Sequence, residues 1–226
     1  MSATKVDATS STSSLLRIIR KLTGVALDQE WIEYDPTYRI RCRPAFKGWK
    51  AWSDESCAAF EKRWPLGTTP RTVYAIARYF GHRRSDVAAV KWTDLEVAAG
   101  NVVQSKTGKA LWIPLHPELA KALEATPRRG EYVVLTQYGQ PFSAKALGMR
   151  MQDGQSKLDL PPHTLHGLRK KLGAMLAEAG ATTRELRAIL GHDDIAHAEL
   201  YSREAEQRRL ASEGMRNLTK LGEPAG

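Results

Sequence analysis

Residues 163–203 read HTLHGLRKKLGAMLAEAGATTRELRAILGHDDIAHAELYSR. Thr182 followed by Glu185 is a capping box that opens a helix, with Leu186, Ile189 and Leu190 as its buried stripe and Gly191 as its stop. Upstream, His166 and Arg169 stand at i and i+3, so both side chains project from one helix face and can reach a single phosphate. His192 follows the glycine stop, and Tyr201 lies nine residues further on. A chain folding back across that turn presents the phenol to the same pocket.

Working outward, the segment before this stretch alternates helices with one hairpin. Ser53 is a candidate N-cap, and a second helix opens at Thr69-Pro70 with proline at its start. Val73, Ile76, Ala77 and Phe80 form its apolar face, which ends at Gly81. A short helix through residues 86–90 follows the cationic junction Gly81-His82-Arg83-Arg84-Ser85-Asp86. Residues 101–104 and 111–114 have strand character, joined by the basic turn Ser105-Lys106-Thr107-Gly108-Lys109. The fold class expected is mainly α, a helical bundle with one small antiparallel sheet. Trp92 and Trp112 are assigned to the core, and Arg84 to a salt bridge or a backbone phosphate. His163 with His166 has an HxxH spacing but no third metal ligand nearby.

At the N-terminus, residues 1–14 are small and polar and predict a disordered leader. From Leu15, the residues Ile18, Ile19, Leu22, Val25 and Ala26 recur at helical spacing, and the helix closes on Trp31-Ile32 before Asp35-Pro36. Residues 37–52 interleave Arg39, Arg41, Arg43, Lys47 and Lys50 with Tyr38, Phe46, Trp49 and Trp52. They suit either a linker lying against phosphates or a solvated loop with anchoring aromatics.

The 226 residues carry 34 Lys and Arg against 25 Asp and Glu, a net charge of +9 that favours polyanionic partners. The two cysteines, Cys42 and Cys57, are too few for a disulfide framework. No apolar run approaches the ~18 residues of a membrane span, so a soluble, cytoplasmic chain is expected. Neither GxGxxG nor GxxxxGK[ST] occurs, which leaves nucleoside triphosphate chemistry unsupported. A nucleophile and several cations, with no carboxylate pair and no metal-ligand cluster, fit phosphoryl transfer without a metal or other cofactor.

At these residues the sequence resembles the tyrosine recombinase (phage integrase) family, over roughly residues 50–210. HGLR, LGH and a tyrosine nine residues after that histidine are the linked signature. The family's first arginine motif matches GHRRSDVAAVKWTDLE and falls on Arg83; its hairpin lysine matches QSKTGKALWIPL and falls on Lys106. The remaining positions fall on His166 and Arg169 of HTLHGLR, His192 of LGHDD and the nucleophile Tyr201 of AELYSR. His82 stands where the family commonly carries an aliphatic residue.

The resemblance implies a site-specific recombinase or integrase, of a phage or other mobile element, acting on double-stranded DNA. Tyr201 would form a 3′-phosphotyrosyl bond, with His166 as proton acceptor, Arg83 and Arg169 on the non-bridging oxygens, Lys106 protonating the leaving 5′-oxygen and His192 donating to the phosphate. It also implies a domain layout: residues 15–44 as the last helix and exit of a core-binding domain, and residues 45–226 as the catalytic domain. The basic tail, residues 203–220, with Leu210, Met215 and Leu218 at near-helical spacing, would pack into a neighbouring protomer of a tetramer on DNA, or fold back on its own domain. A catalytically impaired remnant that only binds DNA is the alternative reading of the same features, and a topoisomerase-like relaxing activity is a third.

Overall fold

The structure is a computed structural model that describes residues 5–8, 10–44, 50–95, 99–158, 161–191, 211–212 and 215–216. The chain divides into two units, residues 1–48 and 49–226.

In the first unit, strand β1 (Lys5–Ala8) pairs in parallel with β2 (Arg41–Pro44), and helix α1 (Ser10–Asp28) lies between them in the chain. One sequence expectation is corrected here: the stretch read as a disordered leader carries β1 and the first turn of α1. The stretch left open between a linker and a solvated loop carries β2. Parallel strands need a long crossover, which α1 supplies. Serine and threonine have middling helix propensity, so an amphipathic segment starting at Leu15 can extend through them at little cost. Beyond the helix, Asp35 Oδ1 accepts from the Thr37 N–H and hydroxyl, both at 2.7 Å, and Arg20 donates to the Ile40 carbonyl at 2.7 Å.

The second unit is helical apart from one hairpin. Helix α2 (Asp54–Arg63) is capped by Ser53, whose hydroxyl accepts from the Ser56 N–H, with Asp54 and Glu55 in its first turn and Lys62 and Arg63 in its last, as the helix dipole favours. Helix α3 (Thr69–Tyr79) buries every residue from Thr72 to Ala77, which makes it the central element. Helix α4 (Arg84–Ala89) leads through a short 3₁₀ turn at Trp92–Asp94 to strands β3 (Ala99–Val103) and β4 (Ala110–Pro114), paired antiparallel. Helices α5 (Pro117–Glu124), α6 (Ala144–Ser156), α7 (Leu165–Glu178) and α8 (Thr183–Leu190) follow.

The core gathers Trp52, Phe60, Tyr74, Ile76, Phe80, Leu119, Leu147 and Leu168. Trp52 meets Phe60 and Tyr74 edge-on at 5.4 and 5.8 Å and stacks on His163 at 4.9 Å. The His163 Nε2 also lies 3.0 Å from the Ser56 hydroxyl, so this histidine is a packing residue. Trp112 corrects another expectation. Leu111 and Ile113 of β4 point inward, and the period-two alternation turns the indole between them outward, 62% exposed.

Candidate active site

Three of the expected site residues lie on elements whose ends converge, and a fourth sits on the hairpin turn between them. Arg83 is the N-cap residue of α4, and its Nη1 donates to Gln104 Oε1 at 2.8 Å. Arg169, in the second turn of α7, is 2% exposed. A buried guanidinium needs acceptors, and it donates Nη1 to the Gly81 carbonyl at 2.5 Å and Nη2 to the Leu190 carbonyl at 2.6 Å. These acceptors are 88 and 21 residues away in the chain, at the end of α3 and the end of α8. Arg169 therefore locks three helices at one point.

His166 lies one turn before Arg169 and is half-buried, in a cleft it shares with Arg83, Arg84, Gly148, Gln152 and Thr164. Burial, with the positive charges of Arg169, Lys170 and Arg83, pushes its pKa down to about 4. The imidazole is thus neutral at neutral pH, the form a proton acceptor requires. Its helix is seated by Thr164, whose hydroxyl accepts from the Gly167 N–H, and by Trp52 Nε1, which donates to the Thr164 carbonyl at 2.9 Å. A Cβ at Gly167 would lie 2.5 Å from the Lys50 carbonyl oxygen, so the glycine of HGLR is what lets the chain at 50–52 pass against the helix.

Lys106 is exposed on the hairpin turn. The turn closes when the Gln104 carbonyl accepts from the N–H groups of Thr107 and Gly108, at 3.2 and 2.8 Å. It is moored to α4 by Asp86, whose Oδ1 accepts from the Ser105 N–H at 3.0 Å. At the far end of the site, α8 has the expected capping box at Thr182 and Glu185 and stops at Gly191, which takes the left-handed conformation with φ 63°. His192, Tyr201 and nearly all of the C-terminal tail lie outside the described residues.

Sequence reasoning missed Gln104 and Asp86. Both are buried polar residues, 4% exposed, and each ties the hairpin turn to another part of the site. A short polar side chain flanking a basic turn is a weak signal, because its burial depends on partners far along the chain. His82 is also buried. Its Nδ1 lies 3.3 Å from the Phe80 carbonyl, so that nitrogen carries the proton, and Nε2 meets no partner among the described residues. Burial lowers its pKa to about 4. Among the described residues no group of three or more His, Cys, Asp and Glu is arranged to hold a metal ion.

The described part of the candidate site thus holds an arginine at the N-terminus of a short helix, a buried arginine one turn from a half-buried histidine, and a hairpin turn that carries a lysine. The pattern defining the phage integrase family matches residues 55–208, and the chain belongs to that family. The tyrosine recombinase XerC of Xanthomonas campestris pv. campestris is 28% identical over 145 residues, 61% of this chain and 45% of that protein. XerC of Pseudomonas entomophila is 30% identical over 132 residues, 54% of this chain and 44% of that protein. The chain thus spans about half the length of the curated relatives it matches.

Among solved structures, a lambda integrase dimer bound to a COC′ core site superposes with a TM-score of 0.71 at 20% identity, covering 85% of this chain and 73% of that one. A lambda integrase tetramer bound to a Holliday junction superposes with a TM-score of 0.70 at 21% identity, covering 82% and 59%. The fold is that of these enzymes: a mainly helical unit with a small antiparallel hairpin.

Proposed function

We propose that this chain cuts and rejoins duplex DNA at specific sites through a 3′-phosphotyrosyl intermediate. The Tyr201 oxygen attacks the scissile phosphorus while His166 takes the phenolic proton, and the bond from phosphorus to the 5′-oxygen breaks. Lys106 gives that oxygen its proton, freeing a 5′-hydroxyl. Arg83 and Arg169 hold the non-bridging oxygens where negative charge accumulates, and His192 adds a hydrogen bond there. A 5′-hydroxyl from a partner strand then attacks the phosphotyrosine in the reverse sense. The phosphodiester bond energy is conserved in the intermediate, so the chemistry balances without ATP.

The observation that carries this reading is the pairing of a neutral, half-buried His166 with Arg83 in one cleft, one helical turn from a buried Arg169. The net charge of +9 supports DNA as the partner. The similarity to the tyrosine recombinase XerC and to the fold of a lambda integrase tetramer bound to a Holliday junction supports strand exchange. The same reading takes the assembly on DNA to be a tetramer, with residues 203–220 as the segment passed between protomers, and the setting to be the cytoplasm of a cell carrying a mobile element. Residues 45–226 are assigned as the catalytic domain, and residues 15–44 as the end of a core-binding domain. Among the described residues no helix is long and apolar enough to cross a membrane.

The test is covalent trapping on a nicked duplex that loses its 5′-hydroxyl strand after cleavage. An adduct that forms with the native chain and vanishes in Tyr201→Phe supports the proposal. DNA binding with no adduct would leave only the DNA-binding alternative.

A further inference from the structure

The side-chain amide of Gln104 is buried among polar partners that belong to three separate pieces of the site. Its Oε1 accepts from Arg83 Nη1 at 2.8 Å and from the Thr107 hydroxyl at 3.1 Å. Its Nε2 donates to the Leu190 carbonyl at 3.0 Å, the oxygen that Arg169 also uses. The main chain of the same residue closes the turn bearing Lys106, because its N–H donates to the Lys109 carbonyl at 2.9 Å and its carbonyl takes the Thr107 and Gly108 N–H groups. One residue therefore touches the guanidinium before α4, the lysine turn and the last carbonyl of α8.

The chemistry of these contacts calls for a primary amide. It is neutral and presents an acceptor and a donor on one planar head. A carboxylate of the same shape would face the Leu190 carbonyl with a second acceptor and would bind Arg83 as an ion pair, competing with a phosphate for that guanidinium. An apolar side chain of similar length would deprive both Arg83 and the Leu190 carbonyl of a partner. Space for the amide depends on Gly191, where a Cβ would lie 2.4 Å from Gln104 Nε2.

We propose that Gln104 is a positioning residue that holds Arg83, the Lys106 turn and the Arg169-bound end of α8 in one register for the phosphodiester. It contacts no reacting atom and acts through the groups it fixes. The proposal rests on the strand-transfer reading above, and its test separates the two.

Gln104→Met and Gln104→Glu are compared with the native chain in single-turnover adduct formation, in binding of an intact duplex, and by NMR of the arginine Nε–H signals without DNA. Both variants are expected to slow adduct formation about 100-fold, as a misplacement of catalytic groups by about 1 Å can, while duplex affinity changes by less than about threefold. In Gln104→Met the Arg83 signal broadens. Leu119→Ala, which truncates a fully buried core residue away from the site, supplies the control for lost stability and is expected to keep the native cleavage rate while folded. Adduct formation within about threefold of native in both variants would overturn the proposal, as would an equal rate loss in Leu119→Ala. If the native chain forms no adduct, the strand-transfer reading fails, and the NMR comparison alone decides. An Arg83 signal ordered in the native chain and broadened in Gln104→Met upholds the positioning role, and an unchanged one ends it. Should Gln104→Met not fold, Gln104→Leu, which also removes the amide without adding a charge, carries the same comparisons.

Discussion

Arg169 and Gln104 donate to the same carbonyl oxygen, that of Leu190, at 2.6 and 3.0 Å. Leu190 ends α8 and stands two residues before His192. An α-helix leaves its last carbonyls unpaired, and here side chains from α7 and the hairpin fill one of those vacancies. The capping of α8 and the assembly of the site are thus one set of bonds, and weakening one weakens the other.

Arg169→Lys will therefore be costly despite keeping the charge. A single ammonium on a flexible stem cannot span the Gly81 and Leu190 carbonyls as the planar fork does. Stability should fall by about 2 kcal/mol, the cost of leaving a buried carbonyl underbonded. Adduct formation should fall at least about 100-fold. Urea unfolding and the trapping assay measure the two effects separately, and a lysine variant of native stability would show that the two carbonyls are not held by the guanidinium.

Gly191→Ala and Gly180→Ala make a matched pair. Both glycines have positive φ, 63° and 86°. An alanine at Gly180 meets nothing within 4 Å, so it should cost only the left-handed backbone penalty of about 1 kcal/mol. At Gly191 the added carbon would lie 2.4 Å from Gln104 Nε2 and 2.6 Å from Leu111 Cδ1, so a further loss of about 2 kcal/mol is expected from displacing them. Equal losses in urea unfolding would contradict the close packing at Gly191.

Local chemistry was the part of this architecture legible in the sequence. The capping box at Thr182 and Glu185, the glycine stop at Gly191 and the Ser53 cap all depend on neighbours a few residues away. What escaped depends on distance along the chain. Gln104 reaches Leu190 across 86 residues, and no periodicity marks such a pairing. The parallel pairing of Lys5–Ala8 with Arg41–Pro44 is equally non-local. Arg83, Lys106 and His166 each sit at an element end or turn, where chain punctuation by Gly81, Gly108 and Thr164 is visible, whereas the burial of Arg169 inside α7 depends on carbonyls 88 and 21 residues away.

Trp112, expected in the core, is turned outward by the period-two alternation with Leu111 and Ile113. Trp112→Ala is expected to change stability by less than about 0.5 kcal/mol. Trp92, packed against the core with Arg128 4.5 Å from its ring, should lose about 2 kcal/mol on the same truncation. Thermal or urea melts of the two variants check the contrast, and a large loss at Trp112 would contradict its exposure.

Acid should destabilise this chain before its carboxylates titrate. His82 and His166 both have pKa values lowered from 6.5 to about 4, chiefly by burial, and His163 is shifted in the same direction. Between those values the unfolded chain binds protons at these rings that the folded chain does not, so stability falls as the pH drops below 6.5 and levels off below about 4. Above 6.5 both states are neutral at these positions and the contribution is flat. For the nearly fully buried His82 alone, the loss should reach about 2 kcal/mol by about pH 5. Urea unfolding of the native chain and of His82→Leu at about pH 7 and about pH 5 measures it, the variant losing less than the native chain by about that amount. A native stability that does not change over this interval would show that His82 is already protonated or open to solvent in the folded chain.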